Sequence, residues 1–357
     1  MIIRSLEDNL FLKLDINMPF ELYWGYKQMC TIQARGLTVN DCSIPMVQVQ
    51  IVTYNSGRTL RKCIESVLNQ VGVRSVIMVI DNNSSDNSLD IARSYEPKVT
   101  CISMPRNYGY GGAHNVGFKR AFETQVEYIL TLNPDVELAS NYILELIRSC
   151  RKDIRCGGVT GKLLRPQSHT EKPVLDSTGL QLERFYHVRD RGSGQPDEGQ
   201  YNVPGVVWGI CGAAALYRTD MLKDIELNGQ VFDASFFIYK EDVDLCWRAN
   251  RRGWYFLYQP TAVAEHLRGW RNDTASSQTN IVLSFSFVNQ ISLLISHAQG
   301  IRAVLVAITV EVVRWSLLFL RRPLAALMAI KLLKERWAKE WAKRRLLKIG
   351  DRSARWN

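Results

Sequence analysis

From residue 47 onward, short apolar runs alternate with segments whose apolar positions recur every three or four residues. "VQVQIVTYN" predicts a strand, and "RTLRKCIESVLNQ" after it sets Leu60, Ile64, Val67 and Leu68 on one helical face. "SVIMVIDNN" is nearly continuous in apolar residues, as a strand buried on both faces must be. The series continues with a short helix at "SLDIARSY", a strand at "VTCISMP", a helix at "AHNVGFKRAF", a strand at "EYILTLNPDV" and a helix at "NYILELIRSC". Such alternation predicts a doubly wound α/β domain, in which ligands sit beyond the carboxyl ends of the strands. All four strands end in polar clusters: "TYNSG", "DNNSSD", "RNYGYGG" and "NPD".

Residues 160–205 are looser. "RDRGSGQPDEGQYNVPG" is polar and rich in Gly and Pro, which predicts a mobile loop beside the site. "VVWGICGAAALY" returns to strand character, and "RTDMLKDI" reads as the helix after it. In "FDASFFIYKEDVDLCWRANRRGW", Val243, Cys246 and Trp247 fall at helical spacing, which puts Glu241 and Asp242 near a helix N-terminus. "YFLYQPTAVAEH" is a last strand, ending at His266. The chain therefore divides into an N-terminal extension at 1–45 with no assignable role, an α/β domain at 46–270 and a helical region at 271–357.

That last region is apolar first and basic afterwards. Glu311 and Arg314 interrupt its strongest apolar run. At mid-bilayer each charge costs about 2.5–3.5 kcal/mol, so a spanning helix is not favoured. Further on, Leu327, Ile330, Leu333, Trp337 and Trp341 share a helical face with Lys and Arg around them, the composition of a helix lying in a membrane interface.

Charge sharpens this division. The net charge is +10, but residues 331–357 hold ten Lys/Arg and three Asp/Glu, leaving only +3 for the other 330 residues. Basicity confined to a tail does not suit a nucleic-acid recognition face, so no nucleic-acid partner is expected. The eight cysteines form no C-x-x-C pair and several lie in apolar runs, as reduced core residues of a cytosolic protein would. "MIIRSLEDNLFLKLD" has no uninterrupted apolar stretch, so a secretion signal is not expected.

The strand-end clusters carry the candidate chemistry. Asp81 in "VIDNNSSDNS" is either a turn residue or an acceptor for a ring N–H of a pyrimidine base. In "RNYGYGGAHN", Gly109, Gly111 and Gly112 permit close backbone approach before a helix whose N-terminus can face a diphosphate. Asp135 in "NPD" suits Mg²⁺ or Mn²⁺ where a nucleotide diphosphate supplies further oxygens, and His266 is a tentative second ligand. The acidic pair in "YKEDVDLCWR" follows aromatic residues, where a partly desolvated carboxylate can take a proton from an attacking alcohol; the alternative is an exposed acidic helix start.

Taken in order, "VTYNSGRTLRKCIESVLNQ", "VIDNNSSDNS", "NYGYGGAHNVG", "LTLNPDV", "WGICGAAALYR" and "FDASFFIYKEDVDLCWR" resemble family 2 glycosyltransferases, over about residues 47–270. The likeness is to the rhamnosyltransferase-like branch that builds bacterial cell-surface glycans. It implies the GT-A fold, a Rossmann-like, mixed and mostly parallel sheet flanked by helices. It also implies a nucleotide-sugar donor, a divalent metal (Mg²⁺ or Mn²⁺) and inversion at the anomeric carbon. Carried over, Thr53, Tyr54 and Asn55 line the nucleotide pocket with Asp81 on the base. Asn107, Gly112 and Asn115 border the donor, Asp135 holds the metal and Asp242 is the general base. Asn133 stands where the common Asp-x-Asp pattern has its first carboxylate, and counts here with the donor-binding positions. L-Rhamnose from a dTDP donor is the sugar the branch suggests. The acceptor would be a glycan or a polyprenyl-diphosphate-linked sugar, used at the inner face of the cell membrane. A non-catalytic sugar-nucleotide-binding scaffold and a sugar nucleotidyltransferase are the rival readings. The nucleotidyltransferase would want a Gly-rich basic loop after the first strand, where "TYNSGRTL" has one glycine.

Overall fold

The computed structural model describes residues 44–124, 126–166, 172–268 and 276–349. The strand-like "LFLKLDI" and the rest of the N-terminal extension lie outside them, and one compact unit spans Pro45–Asn357. In chain order it begins β1 (Met46–Thr53), α1 (Leu60–Leu68), β2 (Arg74–Asp81), α2 (Ser88–Arg93), β3 (Val99–Ser103), α3 (Gly109–Thr124), β4 (Tyr128–Leu132), β5 (Val136–Leu138) and α4 (Tyr142–Cys150). Then come β6 (Cys156–Arg165), β7 (Val174–Ser177), β8 (Leu180–Leu182), β9 (Val188–Asp190), β10 (Gly205–Val207), β11 (Ala214–Arg218), α5 (Thr219–Ile225), α6 (Glu241–Arg251) and β12 (Tyr255–His266). Three long helices follow: α7 (Ser276–His297), α8 (Ile301–Arg321) and α9 (Pro323–Ile349).

The sheet order is β10-β12-β6-β11-β4-β1-β2-β3, with β5 on β12 and β7 on β6. β1 pairs in parallel with β2 and β4, and β2 in parallel with β3. β11 runs antiparallel between β4 and β6 and makes the sheet mixed. On one face Val47, Val49 and Ile51 of β1 join a core with Leu60, Ile64 and Val67 of α1 and Ile143, Leu146 and Ile147 of α4. The other face carries α3, α5 and α6, whose core includes Phe118, Leu222 and Leu245. Two polar residues of β1 are also buried there. Gln48 Nε2 donates to Gly117 O at 2.9 Å, and Gln50 Oε1 lies 3.1 Å from His114 Nδ1 on α3.

Two expectations need correction. Residues 160–205, expected to be looser, are more regular than their composition suggests, because β6 runs through the middle of the sheet and β7–β9 follow it. Its glycines disguise that strand. A Cβ at Gly158 would stand 2.6 Å from Leu216 O, and one at Gly161 would stand 2.2 Å from Ala262 O, so close neighbour backbone requires residues that read as turn formers. "VVWGICGAAALY" is likewise not one strand. It divides into β10 and β11 around a connection at 208–213, which contributes to the site.

Gly161→Ala is expected to destabilise the protein by about 2 kcal/mol or more, since the backbone of β12 and the Tyr142 ring must shift to admit a methyl group. Urea unfolding of the two proteins measures this.

Candidate active site at the sheet's carboxyl end

Thr53 and Asp81 are register partners at the ends of β1 and β2, and both are buried. One Asp81 carboxylate oxygen accepts from Ser84 N at 3.1 Å. Its Oδ1 and the Thr53 hydroxyl are buried without a partner. Such orphaned oxygens cost about 1–3 kcal/mol each, a cost that an arriving ring N–H or hydroxyl would relieve. The loops above are laced together. Asn55, at φ 52°, accepts from Ser85 N at 2.8 Å, and Gly57 N donates to Asp86 at 2.9 Å. Asn55 therefore shapes the pocket through the loop it holds, while the Tyr54 ring stands half exposed.

The Asn107 carbonyl oxygen accepts from Asn82 Nδ2 at 3.0 Å and from Gly109 N at 2.8 Å, which folds the turn into α3. Asn115 is occupied in the same way. Its Oδ1 accepts from Val231 N and Phe232 N at 3.1 and 3.0 Å, and its Nδ2 donates to Phe232 O at 2.7 Å. The room made by the glycines is filled by the protein's own segment 232–237. A Cβ at Gly109 would stand 2.3 Å from Phe237 O, and Tyr110 N donates to that oxygen at 2.7 Å. Gly112 stays half-buried in the first turn of α3, with a Cβ there 3.0 Å from that of Tyr108.

Asp135 and His266 converge because β5 pairs with the end of β12, Val136 opposite His266. His266 Nε2 lies 3.3 Å from Asp135 Oδ1 without hydrogen-bond alignment, and Nδ1 lies 2.8 Å from Asp176 Oδ2. Arg268 pairs with Asp176 and Asp190 behind them. Desolvation lowers the His266 pKa, but the carboxylates of Asp135 and Asp176 beside it outweigh that and raise it to about 9. The group fits a divalent ion. One carboxylate oxygen and one imidazole nitrogen face each other, and a second carboxylate can hold the ring's other N–H and so fix its tautomer. No cluster of three or more His, Cys, Asp or Glu side chains suited to a metal occurs among the described residues. A nucleotide diphosphate would have to supply the remaining oxygens, as is usual for Mg²⁺ sites.

Asp242 lies in the first turn of α6. Its Oδ2 accepts from Gly212 N at 3.0 Å and its Oδ1 from Val243 N at 2.8 Å. Gly212 belongs to the 208–213 connection, and its own carbonyl accepts from Tyr110 Oη at 2.8 Å and Thr131 Oγ1 at 2.9 Å. The next residue, Ala213, accepts from Asn133 N at 2.8 Å. Asp242 is thus anchored to the strand end that bears Asn133 and Asp135. Burial raises its pKa to about 6, helped by the Asp190 charge and opposed by the Gly212 and Val243 N–H groups. Burial and then the charge of Asp242 push Glu241 up to about 8, and its Oε2 has no partner. With two backbone donors, Asp242 ionises first and leaves Glu241 protonated.

The sequence motifs missed what holds Asp242 in place. Phe237, Tyr239 and Lys240, just before α6, all have positive φ, between 61° and 71°. Asn289 of α7 points its amide nitrogen at the carbonyls of Phe236, Ile238 and Tyr239 at 2.8–3.0 Å, while Arg336 of α9 donates to its oxygen at 2.8 Å. Asp244 is fully buried and receives His297 Nε2 and Lys343 Nζ at 2.7 Å each and Arg248 Nε at 2.9 Å. Lys343 also pairs with Asp233 at 2.7 Å. Burial would raise the Asp244 pKa, but these cations hold it well below the usual range. The one available signal was the pair of amides, Asn289 and Gln290, inside the apolar run "FVNQISLL".

A mixed, mostly parallel sheet with acidic groups gathered at its carboxyl end is that of an α/β enzyme whose ligands bind beyond the strand ends. The chain belongs to glycosyl transferase family 2, which it matches over residues 48–226, just over half of its length. It is 27% identical over 239 residues to the N-acetylglucosaminyl-diphospho-decaprenol L-rhamnosyltransferase of Mycobacterium tuberculosis (strain CDC 1551 / Oshkosh), covering 62% of this chain and 76% of that one. It is 22% identical over 215 residues to the poly-beta-1,6-N-acetyl-D-glucosamine synthase of Staphylococcus epidermidis, where it spans 48% of the relative's length and 60% of its own. Among solved structures, that of GalNAc-T7 with UDP, GalNAc and Mn²⁺ superposes with a TM-score of 0.55 at 16% identity, over 72% of this chain and 48% of that one. That likeness is one of fold. The protein is a glycosyltransferase with the GT-A fold.

Lys343→Met is expected to lower the unfolding free energy by about 3 kcal/mol, because it strips charge compensation from Asp244 and Asp233. Urea unfolding at neutral pH reads the loss.

Proposed function

We propose that this protein is an inverting glycosyltransferase that moves a sugar from a nucleotide diphosphate to an acceptor hydroxyl in the synthesis of a bacterial cell-surface glycan. The observation that carries the reading is the convergence at one strand end of the Asp135–His266 pair and the Asp242 carboxylate, through Gly212, Ala213 and Asn133. We assign the catalytic part to residues 46–270. L-Rhamnose from a dTDP donor is the sugar we propose, supported by likeness to the rhamnosyltransferase. The acceptor on this reading is a polyprenyl-diphosphate-linked sugar or a growing polysaccharide, met at the cytoplasmic face of the membrane.

In the proposed reaction, Asp242 takes the proton from the acceptor hydroxyl as that oxygen bonds to the anomeric carbon. The bond from that carbon to the diphosphate breaks on the opposite side, inverting the centre. Asp81 and Thr53 receive the base, with Tyr54 beside them lining the nucleotide side of the site. Asn55 shapes that side through the loop it holds, while Asn107, Gly112, Asn115 and Asn133 border the donor. Asp135 and His266 would hold Mg²⁺ or Mn²⁺, which, when bound, neutralises charge developing on the leaving diphosphate. Protonated Glu241 keeps a second negative charge away from the departing anion.

Asp242→Asn is expected to lower transfer by about 10²–10⁴-fold while donor affinity stays within about twofold. Retention of full activity would overturn the assignment of the base. For the unmodified enzyme kcat/KM should rise with pH through about 6 and then level, because only ionised Asp242 accepts the proton. Asp135→Ala is expected to abolish the strengthening of donor binding by Mn²⁺ in calorimetric titrations. A panel of nucleotide sugars, screened by thermal stabilisation and slow donor hydrolysis, identifies the sugar and separates an enzyme from a scaffold.

A further inference from the structure

We infer that α8 and the start of α9 form the surface through which this protein lies on an anionic lipid bilayer. The inference rests on the membrane-surface reading above and names the element responsible. Ala307, Glu311 and Leu318 of α8 are buried, a spacing that turns one side of the helix toward the protein. The two charges that interrupt its apolar run are on or beside that side. Glu311 is 3% exposed and lies 3.0 Å from His187 and 2.6 Å from Arg314, whose guanidinium covers the Phe287 ring at 4.8 Å.

The outward side is consequently free of charge from Leu305 to Leu320 among the exposed positions. Leu305, Ile308, Val312, Val313, Leu317 and Leu320 are 45–79% exposed, and Leu324 and Leu327 continue the surface past the corner into α9. The stretch Leu305–Leu320 makes this strip about 24 Å long, a contiguous exposed apolar face of the kind that marks an interaction surface. Because the inner side of α8 is taken up by protein, the helix fits a position in the interface plane rather than across the bilayer. The one helix long and apolar enough to cross a membrane among the described residues is α7, half buried within the fold.

The charges around the strip select the partner. Arg321, Arg322, Lys331, Lys334, Lys339 and Arg345 are exposed on α8–α9 from 321 onward, against one exposed acid, Glu335. Trp337 and Trp341 stand exposed among them, side chains suited to the headgroup level. Six exposed cations following the strip along α8–α9 complement anionic headgroups and disfavour pairing of this face with its own copy, where like charges would meet.

The test is vesicle flotation of the full chain. Wild-type protein is expected to float with phosphatidylcholine vesicles containing phosphatidylglycerol. Leu317→Glu/Leu320→Glu should reduce partitioning at least tenfold on all vesicles. Arg321→Glu/Arg322→Glu should reduce it about tenfold on anionic vesicles and little on neutral ones. Thermal melting and donor hydrolysis in lipid-free buffer, unchanged in both variants, show that the fold and the site are intact. Flotation undiminished in both variants overturns the inference, as does a wild-type dimer that the Leu317→Glu/Leu320→Glu change converts to monomers without affecting flotation. Loss of donor hydrolysis with normal flotation in Asp242→Asn bears on the reaction alone, so the two readings fail separately.

Discussion

The hydrogen bond from the Gly212 amide to the Asp242 carboxylate is the contact on which the site depends. It ties the first turn of α6 to the connection entering β11, and β11 pairs with β4, whose end carries Asn133 and Asp135. One backbone donor thus brings together groups more than a hundred residues apart in the chain. It also favours the ionised form of a carboxylate whose burial pulls the other way. Burial and then the charge of Asp242 push the Glu241 carboxyl beside it further up, and it takes the opposite protonation. Adjacent acids in sequence become chemically different because Asp242 also reaches the backbone amide of Gly212, in a distant segment.

The rigidity behind that contact comes from the far end of the chain. Asp244 is buried two residues beyond Asp242, and a carboxylate there is tolerable only with several partners. Three cationic or imidazole groups supply them, from α6, α7 and α9. The basic residues of α9 therefore divide by direction. Arg336, Lys343 and Arg344 bond into the protein, while Trp337, Trp341 and neighbouring lysines face out. A helix that reads from composition as a membrane-surface element is also a structural member of the catalytic domain. Its inner charges steady the loop whose three positive-φ residues precede Asp242.

The parallel half of the sheet was legible because buried parallel strands are continuous apolar runs and amphipathic helices separate them. Asp81, Asp135, His266 and Asp242 were legible as candidates because each sits where a periodic segment stops. β6 was not, since its glycines answer to the backbone of strands β11 and β12, which no local window contains. Asn107 and Asn115 were read as donor contacts, yet their side-chain oxygens are spent on the backbone of the turn into α3 and of residues 231–232. Glu311 and Arg314 illustrate the same limit. Counted along the chain they interrupt an apolar helix, while in three dimensions they turn inward toward His187 and Phe287.

The amino-acid order alone determined the class of sheet, the ends at which chemistry gathers and the residue types available there, because periodicity and turn chemistry act over a few residues. Tertiary structure decided which acid is ionised, which amides hold loops and which side of each C-terminal helix meets solvent. Those properties depend on burial and on partners from distant segments, and neither exists until the chain has folded.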